Sequence, residues 1–166
     1  MNYPSKINPC SYGRSLIATT DLLPGTVVEK LEGFTVRRDE IPEEEKCYAI
    51  WIDDDKWMII KSNSRYINHS CSPNCRITDE LNIIANNFVR KGEELTISYN
   101  IVHKGENPGL WDEKWNFICQ CGSQNCQGII NQYITEDGLP FVYSGDKKVK
   151  IGNNLNTYLK PIEIQH

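Results

Sequence analysis

Cys119-Gln120-Cys121-Gly122-Ser123-Gln124-Asn125-Cys126-Gln127-Gly128 sets three thiols within eight positions, with glycines that let the backbone turn between them. That is how a chain wraps a small tetrahedral ion. A closed structural zinc site takes four ligands, so one more must come from elsewhere. The nearest source is the segment Asn68-His69-Ser70-Cys71-Ser72-Pro73-Asn74-Cys75. If the two segments share a metal, the C-terminal part of the chain folds back over its middle and encloses a site. Four thiolates leave no open position for a reactive water, so zinc here is structural. Small irregular segments of this kind are unfolded without their ion.

The rest of the chain bounds what such a site serves. At 166 residues it is one domain or one domain with a short appendage. The 39% of hydrophobic residues can bury a real core, and 24% charged residues is ordinary for a globular chain. A net charge of -4 argues against non-specific nucleic-acid binding, which needs a basic face. An acidic balance suits a basic partner instead, and the runs Asp39 to Glu45 and Asp53-Asp54-Asp55 are either attractors for a lysine-rich peptide or solvated turns. No run is long enough to cross a bilayer, and Met1 to Lys6 lacks the basic and apolar parts of an export signal, so no membrane role is expected. Seven cysteines are an odd number, unevenly spaced. Reduced thiols in cytoplasm or nucleus fit better than a disulfide framework, with Cys10, Cys47 and Cys75 left as free thiols.

Helical periodicity is weak. Strand-length pieces rich in β-branched residues recur at Ser15 to Thr19, Gly25 to Glu29, Trp57 to Ile60, Asn82 to Ala85 and Glu94 to Tyr99, with shorter ones at Leu139 to Tyr143 and Val149 to Ile151. Turns are signalled at Pro24-Gly25, Asp53-Asp54-Asp55, Lys91-Gly92 and Asp137-Gly138. Short helices are expected from Pro42, where three glutamates favour an N-terminus, and at Ser62 to Ile67. Trp111 and Trp115 could share one face of a helical turn. The fold class is therefore mainly β, built from small twisted sheets with long connections.

Two further segments carry chemistry. Arg65-Tyr66-Ile67-Asn68-His69-Ser70-Cys71-Ser72-Pro73-Asn74-Cys75 is dense in polar groups, and Asn68 can donate and accept at once, which suits a nucleobase edge. Lys91-Gly92-Glu93-Glu94-Leu95-Thr96-Ile97-Ser98-Tyr99-Asn100 reads as a turn feeding a strand, with Leu95, Ile97 and Tyr99 on one face. Taken alone, His69 reads as a hydrogen-bonded core histidine and Tyr99 as a core tyrosine.

In this order the segments resemble the SET-domain protein-lysine methyltransferases. The resemblance rests on Gly13-Arg14-Ser15 with Leu16-Ile17-Ala18-Thr19, on Arg65 to Cys75, on Gly92 to Tyr99, and on the cysteine-rich segment at the end, and it runs from about Gly13 to Gly128. It implies the SET-domain fold of small sheets with a knot-like threaded crossing, an exception to the rule that chains do not thread, plus a zinc-binding post-SET segment. It divides the chain into a SET domain at 1–100, a linker and post-SET zinc segment at 101–130, and a C-terminal extension at 131–166. It implies a protein-lysine N-methyltransferase that uses S-adenosylmethionine, entering from one face, on a lysine of a basic protein such as a histone, entering a narrow channel from the other. By likeness, Arg14 and Ser15 belong to the loop that holds the cofactor, Asn68 and His69 contact its adenine end, Tyr48 contacts it, and Phe117 closes over it. Cys71, Cys119, Cys121 and Cys126 resemble the zinc site, and Tyr99 the tyrosine at the methyl-transfer point.

The sequence departs from the family pattern at three places. Ser15 replaces the second glycine of the early loop, at an expected cost in backbone freedom. Ser98 replaces the aspartate before the late tyrosine. Ile97 stands where many members carry Phe or Tyr, and its lack of a hydroxyl points to higher methylation. The alternative that these departures keep open is a catalytically silent SET-like module that binds peptide or cofactor.

Overall fold

The computed structural model describes residues 2–53, 56–99, 117–130, 141–144 and 147–150. Among them the regular structure is almost all strand, and the only helical pieces are three short 3-10 turns. The chain divides into two compact units, one formed by residues 1–68 with 73–97, the other by 69–72 with 98–166.

In the first unit, β1 (Ser5–Cys10) and β2 (Gly13–Ala18) form an antiparallel hairpin with Cys10 opposite Gly13. Gly13 takes φ +119, which the two-residue turn requires and a β-carbon resists. β10 (Glu94–Ile97) lies against the other edge of β2, pairing Leu95 with Leu16. The four-stranded order is β1-β2-β10-β7, with β7 (Asn68–His69) entering at the far edge through Asn68. Leu16 and Leu95 are both fully buried, and side chains of this size contribute about 1.5–3 kcal/mol each when removed from water.

A second sheet of the same unit has the order β3-β9-β8, from β3 (Val27–Lys30), β9 (Asn82–Ala85) and β8 (Cys75–Ile77). Val28, Ile83, Ala85 and Cys75 are completely enclosed. A third has the order β4-β6-β5, from β4 (Gly33–Arg37), β6 (Lys56–Ile60) and β5 (Ala49–Asp53), with the Trp57 side chain buried. The expected strands at Ser15, Gly25, Trp57, Asn82 and Glu94 all form. β1, β4, β5, β7 and β8 are additional to them.

The two expected short helices are both 3-10 turns, Glu43–Tyr48 after Pro42 and Asn63–Tyr66 after Ser62. Glycines at φ +85 and +88 make the turns at Gly25 and Gly92. The acidic run from Asp39 is engaged locally: Asp39 pairs with Arg37 at 2.8 Å, Glu40 accepts the Arg37 N–H, Glu43 pairs with Lys46, and Glu45 pairs with Lys61 and Arg65. Those charges are spent within the fold, which favours the solvated-turn reading of that run.

In the second unit, β11 (Phe117–Ile118) pairs with β12 (Ile129–Ile130) and closes the cysteine loop between them. Further on, β13 (Phe141–Ser144) pairs with β14 (Lys147–Lys150), where short β-like pieces are expected. The Trp111/Trp115 turn, the Asp137-Gly138 turn, Asp54 and Asp55, and the side chain of Phe117 lie outside the described residues. No helix among the described residues is long and apolar enough to cross a membrane.

Candidate active site and metal centre

Two clusters hold the described residues singled out from the sequence, the Phe117 side chain lying outside them. In the first unit the cluster centres on Asn68. Its amide nitrogen donates to the Arg14 carbonyl at 3.1 Å and to Glu94 Oε1 at 2.8 Å. Both partners are pure acceptors, so the nitrogen must face them, and Oδ1 is left as the acceptor that Asn68 can offer a ligand. The other carboxylate oxygen, Glu94 Oε2, accepts the Tyr12 hydroxyl at 2.7 Å. That carboxylate pushes the Tyr12 phenol up to about 12. Asn74 completes the frame: its amide donates to the Glu94 carbonyl at 2.8 Å and accepts the Thr96 N–H at 2.9 Å, extending the hydrogen bonding of β10.

Arg14 is exposed. Its guanidinium lies 5.0 Å from the centre of the Tyr66 ring and donates to the Tyr66 hydroxyl at 2.8 Å. Ser15 is buried, and its hydroxyl donates to the Asn8 carbonyl across the hairpin. Ser15 is not among the positive-φ residues, so replacing the glycine costs no backbone strain here, against expectation. Tyr48 supports a stacked cation: the Arg65 guanidinium sits 3.9 Å from its ring centre while pairing with Glu45 at 3.3 Å. The Lys61 ammonium hydrogen-bonds the same carboxylate and holds Glu45 below the usual carboxylate range.

Glu94, Tyr12, Asn74 and Arg65 are participants that the sequence reading did not single out. A signal existed for Glu94. Strand alternation that turns Leu95 and Ile97 inward turns Glu94 and Thr96 to the opposite face.

The second cluster lies in the other unit. The sulfurs of Cys71, Cys119, Cys121 and Cys126 all fall within 4.8 Å of one another. Cys71 and Cys119 sulfurs are 3.7 Å apart. Thiolates at about 2.3 Å from a tetrahedral ion stand about 3.8 Å from each other, so the set fits an ion of the size of zinc. Backbone N–H groups are already aimed at the sulfurs: Cys71 to Cys121, Gln127 to Cys71, and Gly128 to Cys126, at 3.4 to 3.5 Å. Gly122 and Gly128 reach left-handed φ of +67 and +76 to make those turns.

The thiols are unequal. Burial pushes Cys71 and Cys119 up. Cys121 also feels burial, but the Cys71 N–H and the Ser123 hydroxyl and N–H outweigh it and bring the thiol down to about 5. None of the seven cysteines forms a disulfide, and Cys75 is fully enclosed, its thiol pushed up to about 11 by burial against a smaller lowering by the Thr96 backbone.

His69 and Tyr99 belong to this second unit. The Tyr99 N–H donates to His69 Nδ1 at 3.0 Å, and His69 Nε2 lies 3.3 Å from the Cys71 sulfur. The rings are 5.5 Å apart and tilted by 56°. Burial lowers the His69 pKa, favouring the neutral imidazole. With both ring nitrogens engaged inside the protein, the imidazole has none left to act as a base.

Comparison with known proteins gives one concordant picture. The family model for the SET domain matches residues 13–100. The chain is 32% identical over 138 residues to histone-lysine N-methyltransferase trithorax of Drosophila virilis, covering 72% of this chain and 3% of that protein. It is 31% identical over 137 residues to human histone-lysine N-methyltransferase 2D, covering 72% of this chain and 2% of that one. It is 36% identical over 73 residues to an H3 lysine-36 specific histone-lysine N-methyltransferase of Mycosarcoma maydis, covering 40% of this chain and 7% of that protein. The chain thus spans a small fraction of the length of these relatives. Among solved structures, a Plasmodium falciparum protein assigned as a histone methyltransferase matches with a TM-score of 0.50 at 19% identity, over 60% of this chain and 95% of that one. At that identity the likeness speaks to the fold.

Proposed function

The chain belongs to the SET-domain family, and from that premise we propose that it is a protein-lysine N-methyltransferase acting on a basic protein, with histones as the first candidate substrates. The single observation that carries this reading is the presence, inside the matched segment, of Asn68-His69 and Tyr99, with the Tyr99 N–H held 3.0 Å from His69. The histone preference comes from the relatives, which are histone-lysine methyltransferases.

S-adenosylmethionine, when bound, supplies an electrophilic methyl group on a sulfonium centre. Asn68 would offer the cofactor its Oδ1 as an acceptor, because both amide hydrogens are taken by the Arg14 carbonyl and Glu94. Arg14, the Ser15 backbone, the Tyr48 ring, the His69 main chain and Phe117 complete the proposed contacts. Tyr99 orients the incoming amine. A lysine with an ordinary pKa of about 10.4 must first lose its proton, and desolvation beside a cation favours that loss, so no strong base is needed. Alignment of the two reactants is then the main contribution of the protein, an effect that reaches about 7–11 kcal/mol in well-oriented systems. Cys71, Cys119, Cys121 and Cys126 hold a structural zinc ion in this reading, and residues 1–100, 101–130 and 131–166 form the SET, post-SET and extension parts.

Incubation of the purified protein with methyl-labelled S-adenosylmethionine and mixed core histones tests the reading. Label should appear on lysine, and Tyr99→Phe should reduce it about a hundredfold or more while cofactor affinity stays within about threefold. Cofactor binding with no transfer to histones or other basic proteins would leave the silent binding module in its place.

A further inference from the structure

We propose that His69 is a positioning residue that ties the metal centre to Tyr99, so that the geometry of the transfer tyrosine is set in part from the cysteine cluster. The proposal rests on the reading of Tyr99 given above. Its structural half stands apart from activity.

The argument begins with hydrogen-bond bookkeeping. A backbone N–H can only donate, so the Tyr99 N–H at 3.0 Å requires a lone pair on His69 Nδ1. The imidazole is then the tautomer that carries its proton on Nε2, the nitrogen 3.3 Å from the Cys71 sulfur. With a metal bound, the Cys71 sulfur would be a thiolate and therefore an acceptor, to which the Nε2–H would donate. Fixing one ring nitrogen by what the other binds is the usual logic of histidines beside metals. Here the imidazole is not a ligand but a bridge, with a thiolate at one end and the amide of Tyr99 at the other.

Three features make the bridge stiff. His69 is buried, the residue's exposure being 8%. Its ring packs on the Tyr99 ring at 5.5 Å. The receiving sulfur is itself held by a second donor, the Gln127 N–H at 3.4 Å. The bridge predicts that the two ends of His69 can be cut separately.

His69→Asn places an acceptor near the Nδ1 position and removes the donor to sulfur. His69→Gln places a donor near the Nε2 position and removes the acceptor for Tyr99. Each full-length variant is prepared with cobalt in place of zinc and with 3-fluorotyrosine at position 99. In His69→Asn the sulfur-to-cobalt charge-transfer band should move to lower energy and metal release to a mercurial reagent should quicken about tenfold, with the fluorine resonance close to the unsubstituted one. In His69→Gln the band should hold, the fluorine resonance should move, and kcat should fall about tenfold with KM for the cofactor changed less than about threefold. Variants that disturb both readouts alike, or neither, overturn the bridge.

A measurement on the unmutated zinc protein keeps the proposal open to refutation if neither variant folds. Long-range proton–nitrogen spectra of its 3 histidines should show His69 protonated on Nε2 with a free lone pair on Nδ1. The opposite tautomer overturns it. If the spectra agree but no histone or other basic protein is methylated, the functional reading fails while the bridge stands.

Discussion

Around Asn68 the side chains meet their partners within the protein, whereas around Cys71 four sulfurs crowd together with only a few N–H and O–H donors to hold negative charge. The Asn68 cluster is a chain of complementary groups: Tyr12 and Asn68 donate, and Glu94 and the Arg14 carbonyl accept. It needs no ligand to keep its shape, and that is what a preorganised binding surface requires. The Cys71 cluster is conditional. Burial opposes the ionisation of Cys71 and Cys119 that a metal would demand, so a bound ion would have to supply the compensating charge. One region is built by pairing, the other by four thiols gathered where a cation could hold them.

The sharpest way to break this contrast is to strip the metal. Chelation should unfold the 117–130 loop while the sheets of the first unit persist, and metal analysis before treatment should find one zinc per chain. The apparent binding energy of such sites is about 10–16 kcal/mol, so the effect should be close to all-or-none. A metal-free preparation with unchanged amide protection at Cys119 to Cys126 would break the comparison outright.

A second test separates two thiols four positions apart. Cys75→Ser places a hydroxyl at a fully enclosed position and should cost about 1–3 kcal/mol in denaturant unfolding without changing zinc content. Cys71→Ser should do the reverse in emphasis, lowering zinc affinity first. Equal loss of zinc from both would mean that Cys75 is a ligand after all.

The third concerns Glu94. Glu94→Gln removes a charge-assisted acceptor worth about 1.5 kcal/mol and should raise KM for the cofactor about tenfold with a smaller effect on kcat. An unaltered KM would show that Asn68 holds its orientation unaided.

The smallest effect is expected at Tyr12, whose side chain is exposed. Its folded pKa is raised to about 12 by the hydrogen bond to Glu94 and then by burial. A raised pKa means the contribution to stability is complete below the ordinary value near 10 and is lost as pH rises through 12. Difference titration at 295 nm against Tyr12→Phe should find a phenol that ionises late, and in Glu94→Gln that phenol should return toward the ordinary range. Ionisation near 10 in the native protein would remove the Tyr12–Glu94 link from the first cluster.

These two regions were not equally legible in the sequence. Metal spacing is nearly an arithmetic property of a chain, and three cysteines in a glycine-broken loop announce that a fourth is missing. Tyr99 and Asn68 are ordinary residues in isolation and gain meaning only through the motifs around them. Glu94 stayed hidden because a glutamate after Lys91-Gly92 is commonplace in a turn, and its partners Asn68 and Tyr12 lie 26 and 82 positions away. Long-range pairing also hid β1. Its Asn8-Pro9 argues against a strand, yet proline is tolerated at a sheet edge, and β1 is the edge strand of its sheet. β2 imposes the extended form that local propensity does not.

The enclosure of Cys75 bears on how the ion finds the right ligands. An unfolded chain offers a passing cation two similar thiols at positions 71 and 75, and a ligand set drawn from the wrong one would trap the loop out of register. Once β8 and β9 have paired, the second thiol is gone from view and only Cys71 can be chosen. In the folded chain the strands thereby withdraw Cys75 from competition for a metal and leave Cys71 as the thiol of this segment that stands with the other three.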